Sequence, residues 1–194
     1  MGIADPSCLA GQDVPLTYTS FKVNEYQGFL ADNGRQLNLV DFPGSERLRK
    51  QLFSKYLHER RSSLKAVVFV VDSSTFGRKA RDVAELFYDA LYESGKQVPF
   101  LVACSKQDSS TAKSAQAIRS ALEREFGLIN GTRSAALETT NGDREKRTLT
   151  DSGKNFQWSD LSSTGVEFVE CCAVSDREEE IPDLEPIKKW ISNL

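Results

Sequence analysis

The chain has 194 residues, of which 39% are hydrophobic and 27% are charged, as in an ordinary globular domain with a sizeable core. Its formal net charge of -3 offers no basic footprint, so we expect no direct contact with nucleic acid. No apolar run approaches the roughly 20 residues of a membrane span, and residues 1–11 lack the features of a secretory signal. The four cysteines have no zinc-type spacing and are expected to be buried free thiols.

The first half of the chain predicts two strands and a helix. Residues 26–31 and 36–42 have the composition of strands, and the Asn33-Gly34 pair between them is a hairpin turn signal. A helix is predicted after Ser45, because apolar residues recur there at helical spacing and a basic run closes the segment.

The centre of the chain predicts a strand, a helix and a second strand. Residues 65–71 and 98–104 are continuous apolar runs, and residues 78–93 between them have an amphipathic helical pattern. Strands that are apolar on both faces are typical of parallel sheets covered by helices on both sides. The second run ends in the sequence SKQD at 105–108, at the strand end where open α/β sheets bind ligands.

The remaining segments continue the alternation of helices and strands. A helix is predicted over residues 111–126 with Gly127 as its stop, and a short edge strand over 156–158. The last strand is predicted over 166–173, and a final helix starts near 182 or 183. Residues 130–155 are polar and are predicted to be an insertion. The prediction is one domain over 1–194, an α/β fold with a doubly wound, mostly parallel sheet.

Three short motifs fall at predicted strand ends: DFPG at 41–44, SKQD at 105–108 and ECCA at 170–173. Each alone is more often a plain turn, a capping loop or a buried strand end. In this order, however, they resemble the guanine-nucleotide motifs of small GTPases.

Longer stretches narrow the resemblance. Those that carry it are TSFKVNEYQGFL, LNLVDFPGSERLRKQLF, AVVFVVDSSTF, DVAELFYDAL, PFLVACSKQD, AKSAQAIRSALERE, TRSAALE, FQWSDL and VEFVECCA. Together they resemble the beta subunits of the signal recognition particle receptor, a family of Arf-like small GTPases, over residues 9–194. The resemblance implies a small-GTPase fold of the P-loop type.

The resemblance also implies GTP and Mg²⁺ as ligands. The GTP-binding residues that it implies are Thr17, Tyr18, Thr19, Ser20, Asp41, Gly44, Ser105, Lys106, Asp108, Cys172 and Ala173. Thr19 and Asp41 would reach the metal, Gly44 would offer its N–H to the γ-phosphate, and Asp108 would read the guanine edge. For Thr19, a Thr-rich strand entry is an equally good interpretation.

Partners and location follow from the same resemblance. The family's alpha subunit is the expected direct partner, with the ribosome and the signal recognition particle as indirect ones. The expected location is the cytoplasmic face of the endoplasmic reticulum membrane, although this chain has no transmembrane segment of its own.

The sequence also departs from the family pattern. The phosphate-binding run GxxxxGK followed by Ser or Thr is absent, and with it the first strand, which such a fold places between the strands ending at Asp41 and Asp72. Ser105 stands where Asn is usual, and Ser45 stands where a water-orienting residue is usual. We therefore expect weak GTP binding and weak or absent hydrolysis. The alternative is a nucleotide-free interaction module or a truncated isoform. The lack of a GxGxxG turn argues against a Rossmann dehydrogenase.

Overall fold

The computed structural model describes residues 22–95, 97–138, 148–152, 155–161, 163–173 and 183–194. The strands are β1 (Asn24–Leu30), β2 (Gln36–Asp41), β3 (Val67–Asp72), β4 (Phe100–Ser105) and β5 (Val166–Glu170). The α-helices are α1 (Arg49–Gln51), α2 (Phe76–Ser94), α3 (Ala115–Glu138) and α4 (Glu185–Ser192). Short 3-10 helices lie at Glu46–Leu48, Arg61–Ser63 and Trp158–Leu161, and a π-helix lies at Leu52–Glu59.

Strands β1 and β2 form the antiparallel hairpin that the Asn-Gly signal predicts. The turn is closed by hydrogen bonds from the Ala31 N–H to the Arg35 carbonyl at 2.9 Å and from the Gly34 N–H to the Ala31 carbonyl at 2.8 Å. Gly34 has a φ of 80°, a left-handed conformation that a residue without Cβ adopts at low cost. Glycine at this position therefore sets the hairpin geometry.

Strands β3, β4 and β5 form a parallel sheet with β4 in the centre. Side chains of β4 alternate between two cores: Val102 and Cys104 face α2 and α3, whereas Leu101 and Ala103 face α4. Helices thus cover both faces of the sheet, which explains why β4 is apolar without interruption. The α/β class with parallel strands is confirmed.

An aromatic cluster fills the core between this sheet and helices α2 and α3. The ring of Phe87 lies 4.6 Å from Phe69, 5.5 Å from Phe126 and 6.1 Å from Trp158, measured between centroids. Phe87 is completely buried. Since such rings exclude a large area from water, this cluster is the main apolar anchor of the fold.

The second core lies on the other face of the sheet. Ile187, Trp190 and Ile191 of α4 pack there against β4, and Phe29 and Leu37 of the hairpin join the same cluster. Among the described residues, β2 and β3 each lie at the end of their own sheet. This agrees with the expectation that the strands ending at Asp41 and Asp72 are not neighbours.

Helix α3 is longer than predicted. The expected stop at Gly127 is wrong, because α3 continues to Glu138. Phe126, Ile129 and Asn130 are buried on its inner face, and this packing outweighs the roughly 1 kcal/mol that a mid-helix glycine costs. The polar segment predicted from Asn130 therefore begins inside a helix, while residues 139–147 lie outside the described part.

One further local prediction is wrong, and another holds with a difference in helix type. Residues 156–158 do not form a strand, since Trp158–Leu161 is a 3-10 helix that seats Trp158 in the aromatic core. The predicted helix after Ser45 is not uniform, because its main part, Leu52–Glu59, is a π-helix. Its buried residues are Tyr56 and Leu57.

Within the described ranges, none of the helices combines the length and the apolar composition that crossing a bilayer requires.

Candidate functional site

The loop that follows β4 is fixed by one glutamine. Lys106 turns the chain sharply with a φ of 63°, the left-handed region that side-chain-bearing residues rarely adopt. The amide of Gln107 then donates to the Ser73 hydroxyl at 3.0 Å, the Cys104 carbonyl at 3.3 Å and the Lys113 carbonyl at 3.1 Å. The Gln107 backbone N–H donates to the Cys171 carbonyl at 3.3 Å. The backbone of residues 105–108 is thus tied to β3, β4 and β5 together.

Asp108 and Cys172 meet at the ends of β4 and β5. The Cys172 thiol donates to the Asp108 carboxylate at 3.1 Å. Cys172 is in turn held by a two-way backbone bridge with Asp183, with N···O distances of 3.0 and 2.7 Å. Asp108 is half-buried. Ala173 follows directly and is also half-buried. The structure therefore brings together Ser105, Lys106, Asp108, Cys172 and Ala173, as the sequence motifs predict.

Asp72, at the end of β3, carries the most strongly bound carboxylate of this region. One oxygen accepts from the Lys106 ammonium at 2.9 Å. The other accepts from the Ser74 N–H at 3.0 Å, the Ser74 hydroxyl at 2.6 Å and the Thr75 N–H at 3.2 Å. Burial alone would raise the pKa of Asp72, but the hydrogen bonds from Ser74 and Lys106 and the charge of Lys106 lower it to about 2.

Asp72 and Gln107 were not among the predicted site residues. Asp72 reads in the sequence as the end of an apolar run, and its ion-pair partner Lys106 lies 34 positions away. The signal that was present is the Ser-Ser-Thr run after Asp72, since aspartate before such residues often accepts their N–H groups.

Asp41 and Gly44 lie at the end of the hairpin. The Asp41 carboxylate accepts a hydrogen bond from the Asn24 amide at 3.2 Å. Gly44 is exposed, and a Cβ built there would meet nothing within 4 Å. Asp41 ends a strand of the hairpin sheet, whereas the Asp108 cluster lies at the end of the parallel sheet.

The other predicted residues and the metal ligands are only partly covered by the structure. Thr17, Tyr18, Thr19 and Ser20 lie outside the described residues. Within the described part, no group of three or more His, Cys, Asp or Glu side chains is arranged to hold a metal ion. Of the two predicted Mg²⁺ ligands, Asp41 lies in the described part of the chain and Thr19 lies outside it.

The cysteines of the described residues, Cys104, Cys171 and Cys172, are free and buried. Burial raises the pKa of the Cys104 thiol to about 12 and that of the Cys171 thiol to about 11. These two thiols stay protonated near neutral pH, so they act as small apolar groups of the core.

The chain matches a known protein family. The family described as "Signal recognition particle receptor beta subunit" matches residues 7–166. The chain belongs to this family. The mixed α/β fold with its parallel sheet is therefore the fold of a member of this family.

Individual relatives agree with the family assignment. The signal recognition particle receptor subunit beta of Rattus norvegicus is 41% identical over 179 residues, which cover 90% of this chain. The human protein of that name is 40% identical over 168 residues, 84% of this chain. The chain spans about 62% and 60% of the length of these two relatives.

Solved structures agree in fold. "The Structure of the Mammalian SRP Receptor" has a TM-score of 0.76 and 37% identity, and covers 96% of this chain and 89% of that chain. The "SRb-GTP/SRX complex" from Chaetomium thermophilum has a TM-score of 0.70 and 25% identity, covering 93% and 78%. The "SRb-GDP-Mg" structure from the same organism has a TM-score of 0.66 and 26% identity, covering 80% and 78%. The fold is therefore of the small-GTPase type.

Proposed function

We propose that the chain is a guanine-nucleotide-binding beta subunit of the signal recognition particle receptor that anchors the alpha subunit at the endoplasmic reticulum. The observation that carries the nucleotide part is the half-buried Asp108, whose carboxylate is oriented by the Cys172 thiol beside Lys106. Family membership supports the receptor role.

The base is the part of the ligand that this site suits best. A carboxylate accepts hydrogen bonds from the N1–H and the 2-amino group of guanine, and adenine lacks this pair of donors. Asp108 would supply that acceptor, Lys106 would lay its aliphatic stem along the ring, and the Ala173 N–H would meet the O6 atom. Ser105 is shorter than the Asn usual at its position, which lowers the expected affinity for the base.

The phosphate side of the site is less complete in this chain. Gly44 would offer a backbone N–H to the γ-phosphate, and Asp41 and Thr19 would contribute to the Mg²⁺ shell. The 194 residues contain no GxxxxGK run followed by Ser or Thr, whose backbone cradles phosphates in such folds. We propose weak nucleotide retention, because Ser105 is shorter than the Asn usual at its position in the base site. Because Ser45 is a poor group for orienting an attacking water, we also propose slow or absent hydrolysis.

The partner is proposed from the relatives. One solved relative is a complex of SRb-GTP with SRX, so a receptor partner is a feature of that protein. We propose that this chain likewise binds the alpha subunit on the cytoplasmic face of the membrane, and meets the ribosome and the signal recognition particle only through it.

A second function is favoured by Ser105 and Ser45, which stand where Asn and a water-orienting residue are usual: the chain would be an interaction module that binds the alpha subunit without nucleotide. The two functions predict different complexes. Co-purification of the chain with the alpha subunit, with and without added GTP and Mg²⁺, distinguishes them. A complex that forms equally well in both conditions supports the nucleotide-free module.

The nucleotide function is tested by changing Asp108, the residue proposed to bind the guanine base. Asp108→Asn replaces an acceptor by an amide that also donates, which suits xanthine, whose C2 carries oxygen in place of the amino group. We expect wild type to prefer GDP over XDP in titrations followed by backbone NMR shifts, and Asp108→Asn to reverse this preference. Glu85→Gln, a charge change on the exposed part of α2, is the control and should bind as wild type does. Wild type that binds neither nucleotide contradicts the proposal.

A further inference from the structure

The ion pair between Asp72 and Lys106 joins a fixed partner to a flexible one. The Asp72 side chain is only 10% exposed and is held by three hydrogen bonds from Ser74 and Thr75, whereas the Lys106 side chain is 50% exposed. Asp72 also pairs directly with Ser105 across β3 and β4, so its position relative to the loop is set by the sheet. The carboxylate is therefore a rigid acceptor at a defined distance from the Lys106 backbone.

The backbone of the loop does not need this ion pair. Gln107 already ties the loop to Ser73, Cys104, Lys113 and Cys171 through four hydrogen bonds. What the pair fixes in addition is the Lys106 side chain, whose free rotation otherwise costs up to about 2 kcal/mol to freeze on binding. When Asp72 holds the ammonium at the end of the Lys106 side chain, the four-carbon stem of that side chain stays in one arrangement.

The backbone of Lys106 supports the same interpretation. Its φ of 63° is the one left-handed conformation of a non-glycine residue among the described residues. Residues held in such conformations cost of order 1 kcal/mol or more and cluster at binding sites, where the surrounding structure over-determines them. Here Gln107 on one side and the ammonium contact with Asp72 on the other hold the residue in place.

We propose that Asp72 is a positioning residue of the base site: it orients Lys106 along the ring and sets base affinity through that lysine, without touching the nucleotide. This inference rests on the proposed function and concerns the same site. Under this proposal the two carboxylates have different tasks. Asp108 selects the base, and Asp72 orders the Lys106 side chain that covers the base.

The test compares Asp72→Asn, Lys106→Met and the double variant in GDP titrations followed by NMR. Asparagine keeps an oxygen for the Ser74 and Thr75 N–H groups but loses the charge that binds Lys106. Methionine keeps an apolar stem and loses the ammonium. We expect each single variant to weaken GDP binding about tenfold, and the double variant to bind no more weakly than either one, because the two residues act as a unit. The preference for GDP over XDP should stay with Asp108 and remain unchanged in Asp72→Asn.

Asp89→Asn is the matched control. It removes the same charge from an aspartate that also pairs with a cation, Arg133 at 2.6 Å, but this pair joins α2 to α3. Binding of GDP to Asp89→Asn should equal that of wild type. The order of the Lys106 side chain, measured without ligand by ¹⁵N relaxation of its ammonium, should fall in Asp72→Asn and stay as in wild type in Asp89→Asn.

The outcomes are separable. Normal GDP binding by Asp72→Asn, additive losses in the double variant, or a Lys106 ammonium that is equally mobile in wild type and Asp72→Asn each overturn this inference and leave the proposed function standing. Absence of GDP binding by wild type overturns the proposed nucleotide function, and the positioning role with it.

Discussion

The loop after β4 and the β1–β2 hairpin are the two regions that carry predicted nucleotide contacts, and they are built in opposite ways. The strand that leads to the loop is buried from Phe100 to Cys104, and the loop itself is tied by side chains to three strands. In β1 nearly every residue is exposed, and Leu30 is 63% exposed. The hairpin is held by its own turn, by Phe29 and Leu37 at the margin of the second core, and by the contacts of Glu25 with Tyr56 and Arg60.

The two regions suit different tasks: the ordered loop suits recognition of the base, and the hairpin suits a change of conformation. A base site needs groups that are ordered before the ligand arrives, and burial with complete hydrogen bonding supplies that order. Segments that change conformation are drawn from the less stable part of a structure. We therefore expect the loop to be rigid, whereas the hairpin with Asp41 and Gly44 has little resistance to local opening.

The largest expected effect comes from removing the anchor of the rigid region. Phe87→Ala deletes a buried ring that contacts four aromatic neighbours and should lower the free energy of unfolding by about 3–5 kcal/mol in urea titrations. Leu30→Ala in the hairpin is the paired variant, and its effect should stay below about 0.5 kcal/mol. Equal losses for the two variants would remove the contrast between the regions.

Acid should lower the free energy of unfolding, because it protonates Asp72 beside the loop. Its pKa of about 2 in the folded chain lies below the ordinary 3.8, so the ionised group stabilises the fold at pH values above the unfolded pKa. This contribution of about 2 kcal/mol should be lost as the pH falls from about 5 toward 2. Asp72→Asn should show a flatter stability profile over that window in urea titrations at stepped pH. A wild-type profile identical to that of Asp72→Asn would mean that the carboxylate is not stabilised by its partners.

The smallest expected effect is confined to the hairpin. Gly34→Ala forces a Cβ into a left-handed conformation with a φ of 80°, at a cost of about 1 kcal/mol. Hydrogen exchange should speed up for amides of β1 and β2 and stay unchanged for β4. If the β4 amides also exchange faster, the hairpin and the parallel sheet open as one unit, and the comparison between them fails.

Much of this architecture follows from local patterns. Strands β3 and β4 are continuous apolar runs of strand length, and the Asn-Gly pair fixes the hairpin, so both are visible without a structure. The cluster of Lys106, Asp108 and Cys172 was predictable because parallel strands end at one edge of a sheet.

What the sequence did not predict depends on contacts between distant residues. Gly127 is a helix stop by local preference, but the packing of Phe126 and Ile129 in the core carries α3 through it. The pairing of Asp72 with Lys106 and the bridge between Cys172 and Asp183 exist only after the chain has folded back on itself. Residues 17–20 lie outside the described part, so their predicted GTP-binding role stays a prediction.

The two tryptophans of the chain lie on opposite faces of the parallel sheet. Trp158 is surrounded by Phe126, Phe156 and Phe168 on the side of α2 and α3, whereas the indole of Trp190 donates to the Glu167 carboxylate on the side of α4. A Trp158→Phe variant therefore emits only from the α4 face, and a Trp190→Phe variant only from the aromatic core. The chain carries two native fluorophores with different surroundings, and their separate emission would time the loss of each face during unfolding.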